Sequence, residues 1–138
     1  MSETLKESSN MNIALTIALY LIPLTEGWRG IDGDNGKSWG PFQISQVYLD
    51  DVNKFASGVN YTKADCYDPV IARRICIIYL THYGSKIGRT PTVEDYTRIH
   101  NGGPDGWKED CTLAYWTRAI GYWSIAQRTG KIAEIFKG

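Results

Sequence analysis

The amino-acid sequence predicts a mainly α-helical domain with one small β-hairpin region, an α+β arrangement in which helices dominate. Two observations lead there. Several long segments repeat apolar residues at three- and four-residue intervals, the period of a helix packed on one face. Glycine, in contrast, is concentrated in two short runs, near residues 27–40 and 102–106, which leave room for two short strands at most. With 138 residues and 43% hydrophobic content the chain can bury one substantial core, and neither repeat nor linker divides it. The expected organisation is a polar, loose tail over residues 1–10 and a single domain over 11–138.

The first helix is expected from about Met11 to Glu26, capped by Ser9 or Asn10, with Pro23 removing one backbone hydrogen bond and kinking the last turn. Its apolar stretch, residues 12–24, is too short to span a membrane, which takes about 20 residues. It also lacks the basic flank and small-residue cleavage site of a signal peptide, so it reads as a buried helix. Residues Gly27–Gly40 hold five glycines in fourteen positions, including Asp32-Gly33-Asp34-Asn35-Gly36, and predict turns with positive φ and a hairpin. Ser45 opens a short helix to about Phe55. Pro69 suits the first turn of a long helix to about Tyr83, with Ala72, Cys76, Tyr79, Leu80 and Tyr83 on one face. Thr92 and Asp95 form a capping pair for a short helix ending near His100, followed by a glycine-rich loop, Asn101–Gly106. The last long helix begins near Thr112, with an inward stripe of Leu113, Trp116, Ile120, Trp123 and Gln127, and Lys131–Lys137 adds a final turn or two.

Composition narrows the function. Fifteen Lys and Arg balance fifteen Asp and Glu, so the basic excess that drives nucleic-acid binding is absent overall. A local basic patch remains open over residues 117–138, where Arg118, Arg128, Lys131 and Lys137 face only Glu134. Cys66, Cys76 and Cys111 form no CxxC unit, and with only two histidines no metal site or cofactor is expected. Buried free thiols are the reading. Arg73-Arg74 reads as a solvated helix edge. Five Trp and nine Tyr are many for this length, and aromatic rings can build a core or line a groove where sugars stack. Trp116 and Trp123 are assigned to the core; Trp28, Trp39, Tyr48 and Trp107, beside glycine-rich loops, to a sugar groove.

The most informative stretch is Glu26 to Ile44. Glu26 closes the most apolar helix, against Leu24 and Trp28, where lost hydration would favour a protonated carboxyl. Asp34 lies eight residues later in a polar turn that keeps a carboxylate solvated. Two carboxyl groups in contrasting settings are what glycoside hydrolysis uses, one to protonate the leaving oxygen and one to attack or stabilise the anomeric carbon. The same two residues could equally end a helix and close a turn, and Asp32 competes with Asp34. In His100-Asn101-Gly102-Gly103, the glycines would let backbone bend and approach a ligand while His100 and Asn101 offer directional hydrogen bonds, or the run could simply stop a helix.

Taken together, Glu26 with its glycine-rich Asp turn, Ser38-Trp39-Gly40-Pro41-Phe42-Gln43-Ile44, Arg98-Ile99-His100-Asn101-Gly102-Gly103-Pro104-Asp105-Gly106 and Thr112-Leu113-Ala114-Tyr115-Trp116 resemble the invertebrate-type lysozymes. The resemblance runs over roughly residues 12–120 in the family's order. It departs from the family at Glu26-Gly27-Trp28, where the family has Glu-Ser-Gly, and in a loop to the Asp about four residues shorter; counting back from Gln43 favours Asp34 over Asp32. Of the family's disulfide framework only Cys66 is similarly placed, which suggests a bacterial or phage relative folding without bridges. The resemblance implies the lysozyme-like fold, helices with a small β region beside a cleft, and cleavage of the β-1,4 bond between N-acetylmuramic acid and N-acetylglucosamine. It implies Glu26 and Asp34 as the catalytic pair and Ser38, Gln43, His100, Asn101, Gly102 and Gly103 along the glycan, where the reading of the aromatics adds Tyr48, Trp28 and Trp107. The expected partner is the peptidoglycan strand, acted on in the cell wall by a monomer, with no nucleic acid, membrane insertion or cofactor. Two rivals stay open: a lytic transglycosylase, which needs no second carboxylate, and a glycan-binding relative without catalysis.

Overall fold

The computed structural model describes residues 12–137. Helix α1, Ile13–Glu26, is its central element, with Leu15, Ala18, Leu19, Leu21 and Ile22 almost completely removed from solvent. It packs on the third, fourth and fifth helices, so its sequence is apolar nearly all round rather than striped. The cap is Asn12, whose side chain accepts from the Leu15 amide at 2.7 Å. The expected start at Met11 and the caps Ser9 and Asn10 lie outside the described residues. The helix continues through Pro23, whose carbonyl accepts from the Gly27 amide at 3.0 Å. Near the end of a helix the bond that proline removes is a single one, so the element survives.

The β region is smaller and later than the glycine run suggested. Strand β1, Ser38–Trp39, pairs antiparallel with β2, Ile44–Ser45, and Gly40-Pro41-Phe42-Gln43 makes the turn. The Asp32–Gly36 run is a separate left-handed turn, with Asp34, Asn35 and Gly36 at φ 57°, 56° and 83°. Helix α2, Gln46–Phe55, is capped by Ser45 as its sequence predicts, and α3, Pro69–Gly84, by Asp68 with proline in the first turn. Between them lies a 3₁₀ helix, Lys63–Tyr67, that the sequence reading missed. Helix α4, Val93–Gly102, has the expected Thr92–Asp95 capping box. It takes in Asn101 and Gly102, which the glycine run places in a loop. Two 3₁₀ turns, Gly106–Lys108 and Asp110–Thr112, lead to α5, Leu113–Arg128, and α6, Lys131–Ile135. Buried Arg98 ties this connection to α4 through Thr112 Oγ1 and the Glu109 carbonyl, both at 2.8 Å.

The face expected of α3 is mostly the one buried: Ala72, Cys76, Tyr79 and Leu80, with Ile75 added and Tyr83 half-buried. The stripe expected of α5 is rotated. Tyr115, Ala119 and Ala126 are buried, Trp116 and Trp123 are half-buried against the core, and Leu113 and Ile120 are exposed. Cys66 and Cys76 are buried free thiols; Cys111 is free but exposed, contrary to expectation. Arg73 and Arg74 are exposed, as a helix edge should be.

Candidate active site

A polar cavity of about 480 Å³ opens where the end of α1, the left-handed turn, the hairpin, the start of α2 and the end of α4 meet. Glu26, Gly33, Asp34, Ser38, Gln43, Ser45, Tyr48, His100 and Asn101 line it. Seven of the eleven expected site residues, from four separated stretches of chain, therefore share one wall.

Glu26 sits on that wall with its side chain 18% exposed. Its Oε2 accepts from the Tyr115 hydroxyl at 2.7 Å and lies 3.5 Å from His100 Nε2. Its neighbours are thus a phenol and an imidazole, whereas the expected Leu24 is exposed and Trp28 is engaged elsewhere. Tyr115 was read only as part of a motif, yet it is the closest partner of Glu26 and is itself 3% exposed. Its only sequence signal was that motif, because α5 reaches α1 across 89 positions of chain. Burial first, then the neighbouring carboxyl, pushes the phenol well above its usual range, so it keeps its hydrogen to donate.

His100 is buried, and both ring nitrogens are used within the protein. Nε2 lies 2.8 Å from the Phe42 carbonyl and Nδ1 3.0 Å from the Tyr48 hydroxyl. A carbonyl only accepts, so Nε2 carries hydrogen. Burial opposes charge on the ring, but Cys76 and Glu26 beside it outweigh burial and raise its pKa to about 10. Tyr48 is a core residue that also lines the cavity; its ring stacks on Tyr79 with centroids 3.6 Å apart. These two residues form the floor of the cavity rather than free contacts for a ligand. Asn101, in contrast, is exposed at the rim.

Asp34 projects from the left-handed turn and is exposed on the cavity wall. Asp32 is not a lining residue. Its Oδ1 accepts from Trp28 Nε1 at 3.1 Å and the Gly40 amide at 3.3 Å, and its Oδ2 from the Tyr67 hydroxyl. Gln43 lines the cavity and also binds the turn together, accepting from the Gly33 amide and donating to the Gly40 carbonyl, both at 2.8 Å.

The aromatic groove expected of Trp28, Trp39 and Trp107 is not formed by them. Trp28 is tied to Asp32 and tilted against Tyr67. Trp39 is buried, donating to the Gly36 carbonyl at 2.8 Å beneath Lys63. Trp107 lies between Arg89 and Lys108. Gly102 and Gly103 are also off the wall. A Cβ on Gly102 would meet Thr112 Cγ2 at 2.4 Å, and Gly103 terminates α4 at φ 88°. They serve packing and helix termination, the other reading of that run.

Among the described residues no cluster of His, Cys, Asp and Glu is arranged to hold a metal ion, and no helix is long and apolar enough to cross a membrane.

No family model matches the chain. Curated relatives do. The chain is similar to "Lysozyme" of Magallana gigas, 37% identical over 81 residues that make up 59% of this chain and 57% of that protein. It is likewise similar to "Lysozyme" of Ostrea edulis, 37% over 57% of this chain and 56% of the other, and to that of Meretrix lusoria, 33% over 59% and 64%. The chain thus spans somewhat more than half the length of the curated relatives it matches. Among solved structures it is similar to a chain in the crystal structure of Aeromonas hydrophila PliI in complex with Meretrix lusoria lysozyme, with a TM-score of 0.59 and 28% identity, covering 78% of this chain and 86% of that one. In sequence and in fold, the chain is similar to lysozymes of these molluscs.

Proposed function

We propose that the protein is a lysozyme that hydrolyses the β-1,4 bond between N-acetylmuramic acid and N-acetylglucosamine in peptidoglycan. The observation that carries this reading is Glu26 clamped at one oxygen on the wall of a polar cavity that also holds an exposed Asp34. With Oε2 occupied by Tyr115, Oε1 is the atom left to carry a proton to the leaving glycosidic oxygen. Asp34, exposed in a polar turn, acts opposite as nucleophile or as stabiliser of the oxocarbenium-like centre. His100 and Tyr48 make the floor; Ser38, Gln43 and Asn101 offer polar contacts to sugar hydroxyl and acetamido groups. The similarity to bivalve lysozymes supports the same substrate class.

Glu26→Gln keeps shape and loses the transferable proton, so lysis of cell-wall suspensions should fall at least ~100-fold in a folded protein. A Glu26→Gln enzyme with near-normal lysis would sink the reading. Product mass separates hydrolysis from transglycosylation, since an anhydro-muramoyl product lacks the added water. Retention of the anomeric configuration is expected for Asp34 as nucleophile and is checked by NMR of the first-formed anomer.

A further inference from the structure

Asp32 is the meeting point of four segments. Trp28 comes from the loop after α1, Gly40 from the hairpin turn and Tyr67 from the 3₁₀ helix, and all donate to one carboxylate that directly precedes the left-handed turn. The 3₁₀ helix is locked against the hairpin independently, because a Cβ on Gly40 would come 1.9 Å from the Cys66 carbonyl oxygen. Two consecutive residues with side chains, Asp34 and Asn35, hold positive φ in that turn. Such residues cost energy and persist where their surroundings over-determine the backbone. Here the surroundings are Asp32 on one side and Gln43, bridging Gly33 to Gly40, on the other.

We propose that Asp32 is a positioning residue of the reaction: its three hydrogen bonds hold the strained turn that presents Asp34 to the cavity, and it touches no substrate itself. This rests on the reading of Asp34 as the second carboxylate. The hub needs an acceptor with two ionised oxygens, since three donors converge and an amide would put an NH₂ against one of them. Consistent with that, the Tyr67 bond, with the other two donors, holds Asp32 below the usual carboxylate range, and the same bond pushes the Tyr67 phenol up to about 12.

The test is a double-mutant cycle on Asp32→Asn and Asp34→Asn, with Tyr67→Phe as the milder second route into the hub. Displacing a reacting group by about 1 Å can cost on the order of 100-fold, so Asp32→Asn should lower kcat about 10–100-fold and Tyr67→Phe by less. In the Asp34→Asn background neither should lower kcat further by more than about twofold, as a group that acts through Asp34 has nothing left to position. Amide resonances of residues 33–36 should shift in both variants while those of α3 stay, a readout independent of activity and of folding yield in any one variant. Losses that multiply in the Asp34→Asn background, or unmoved 33–36 resonances, overturn the proposal. An Asp34→Asn enzyme with wild-type activity instead overturns the assignment of Asp34, and with it any route through that residue.

Discussion

Replacing Tyr115 with Phe removes one oxygen from a buried ring and one hydrogen bond from Glu26, 2.7 Å long. A hydrogen bond to an ionised group contributes about 1.5–3 kcal/mol, roughly twice its strength to a neutral one. When Glu26 yields its proton the bond passes from the weaker to the stronger form. The part realised only in the transition state is therefore about half, or ~0.8–1.5 kcal/mol, which corresponds to about 4–12-fold in kcat. KM should change by less than about twofold, because Tyr115 is 3% exposed and presents almost no surface to a glycan. Phe fills the same space, and the partly exposed Glu26 carboxyl on the cavity wall can take a water in place of the phenol, so loss of stability should stay near ~1 kcal/mol. Steady-state kinetics on soluble peptidoglycan fragments, beside a thermal melt, measure all three quantities. An unchanged kcat, or a rise in KM with kcat intact, would refute the argument that Tyr115 serves the proton transfer.

Three further outcomes follow from the same geometry. Gly40→Ala places a Cβ 1.9 Å from the Cys66 carbonyl at a residue with φ 74°, and should cost about 2–5 kcal/mol of stability, read from urea unfolding; a near-native midpoint would show that the hairpin can shift off the 3₁₀ helix. His100→Ala leaves the Phe42 carbonyl and the Tyr48 hydroxyl without their buried partner, and should lower stability by about 3 kcal/mol or more; a stable variant whose only defect is weaker oligosaccharide binding would return His100 to the glycan. Asp95 is desolvated, but the Arg89 guanidinium and the Thr92 cap outweigh burial and hold it below the usual carboxylate range. Its folded value lies under its unfolded one, so its contribution is full above about pH 4 and fades as pH falls through the folded value. Asp95→Asn should flatten the stability profile below about pH 4, and an unaltered profile would remove Asp95 from acid unfolding.

Much of the local structure was legible along the chain. The Ser45 cap, the Thr92–Asp95 capping box and Pro69 in the first turn of α3 depend on residues within four positions of one another, and all are found. Glu26 at the end of an apolar helix and Asp34 in a polar turn were legible for the same reason. What misled was composition taken as location. Trp28, Trp39 and Trp107 stand beside glycines and so suggested an open groove, but each indole is engaged in the scaffold, by a hydrogen bond or by flanking cations. Apolar size points to Leu113, Trp116, Ile120 and Trp123 on α5, whereas the buried positions are Tyr115, Ala119 and Ala126.

The sequence by itself therefore determined the approximate α-helices, the caps of α2 and α4, the positive-φ turn of Asp32–Gly36 and two carboxyl groups in unlike settings, because these follow from short-range sterics and hydrogen bonding. Only the tertiary structure decided which groups meet. Tyr115 reaches Glu26 across 89 positions, His100 reaches the Phe42 carbonyl across 58, and Tyr67 reaches Asp32 across 35. No periodicity encodes such pairs. They arise when burial of the apolar faces of α1, α4 and α5 brings their ends together, and the polar groups then left at those ends must satisfy one another around the polar cavity.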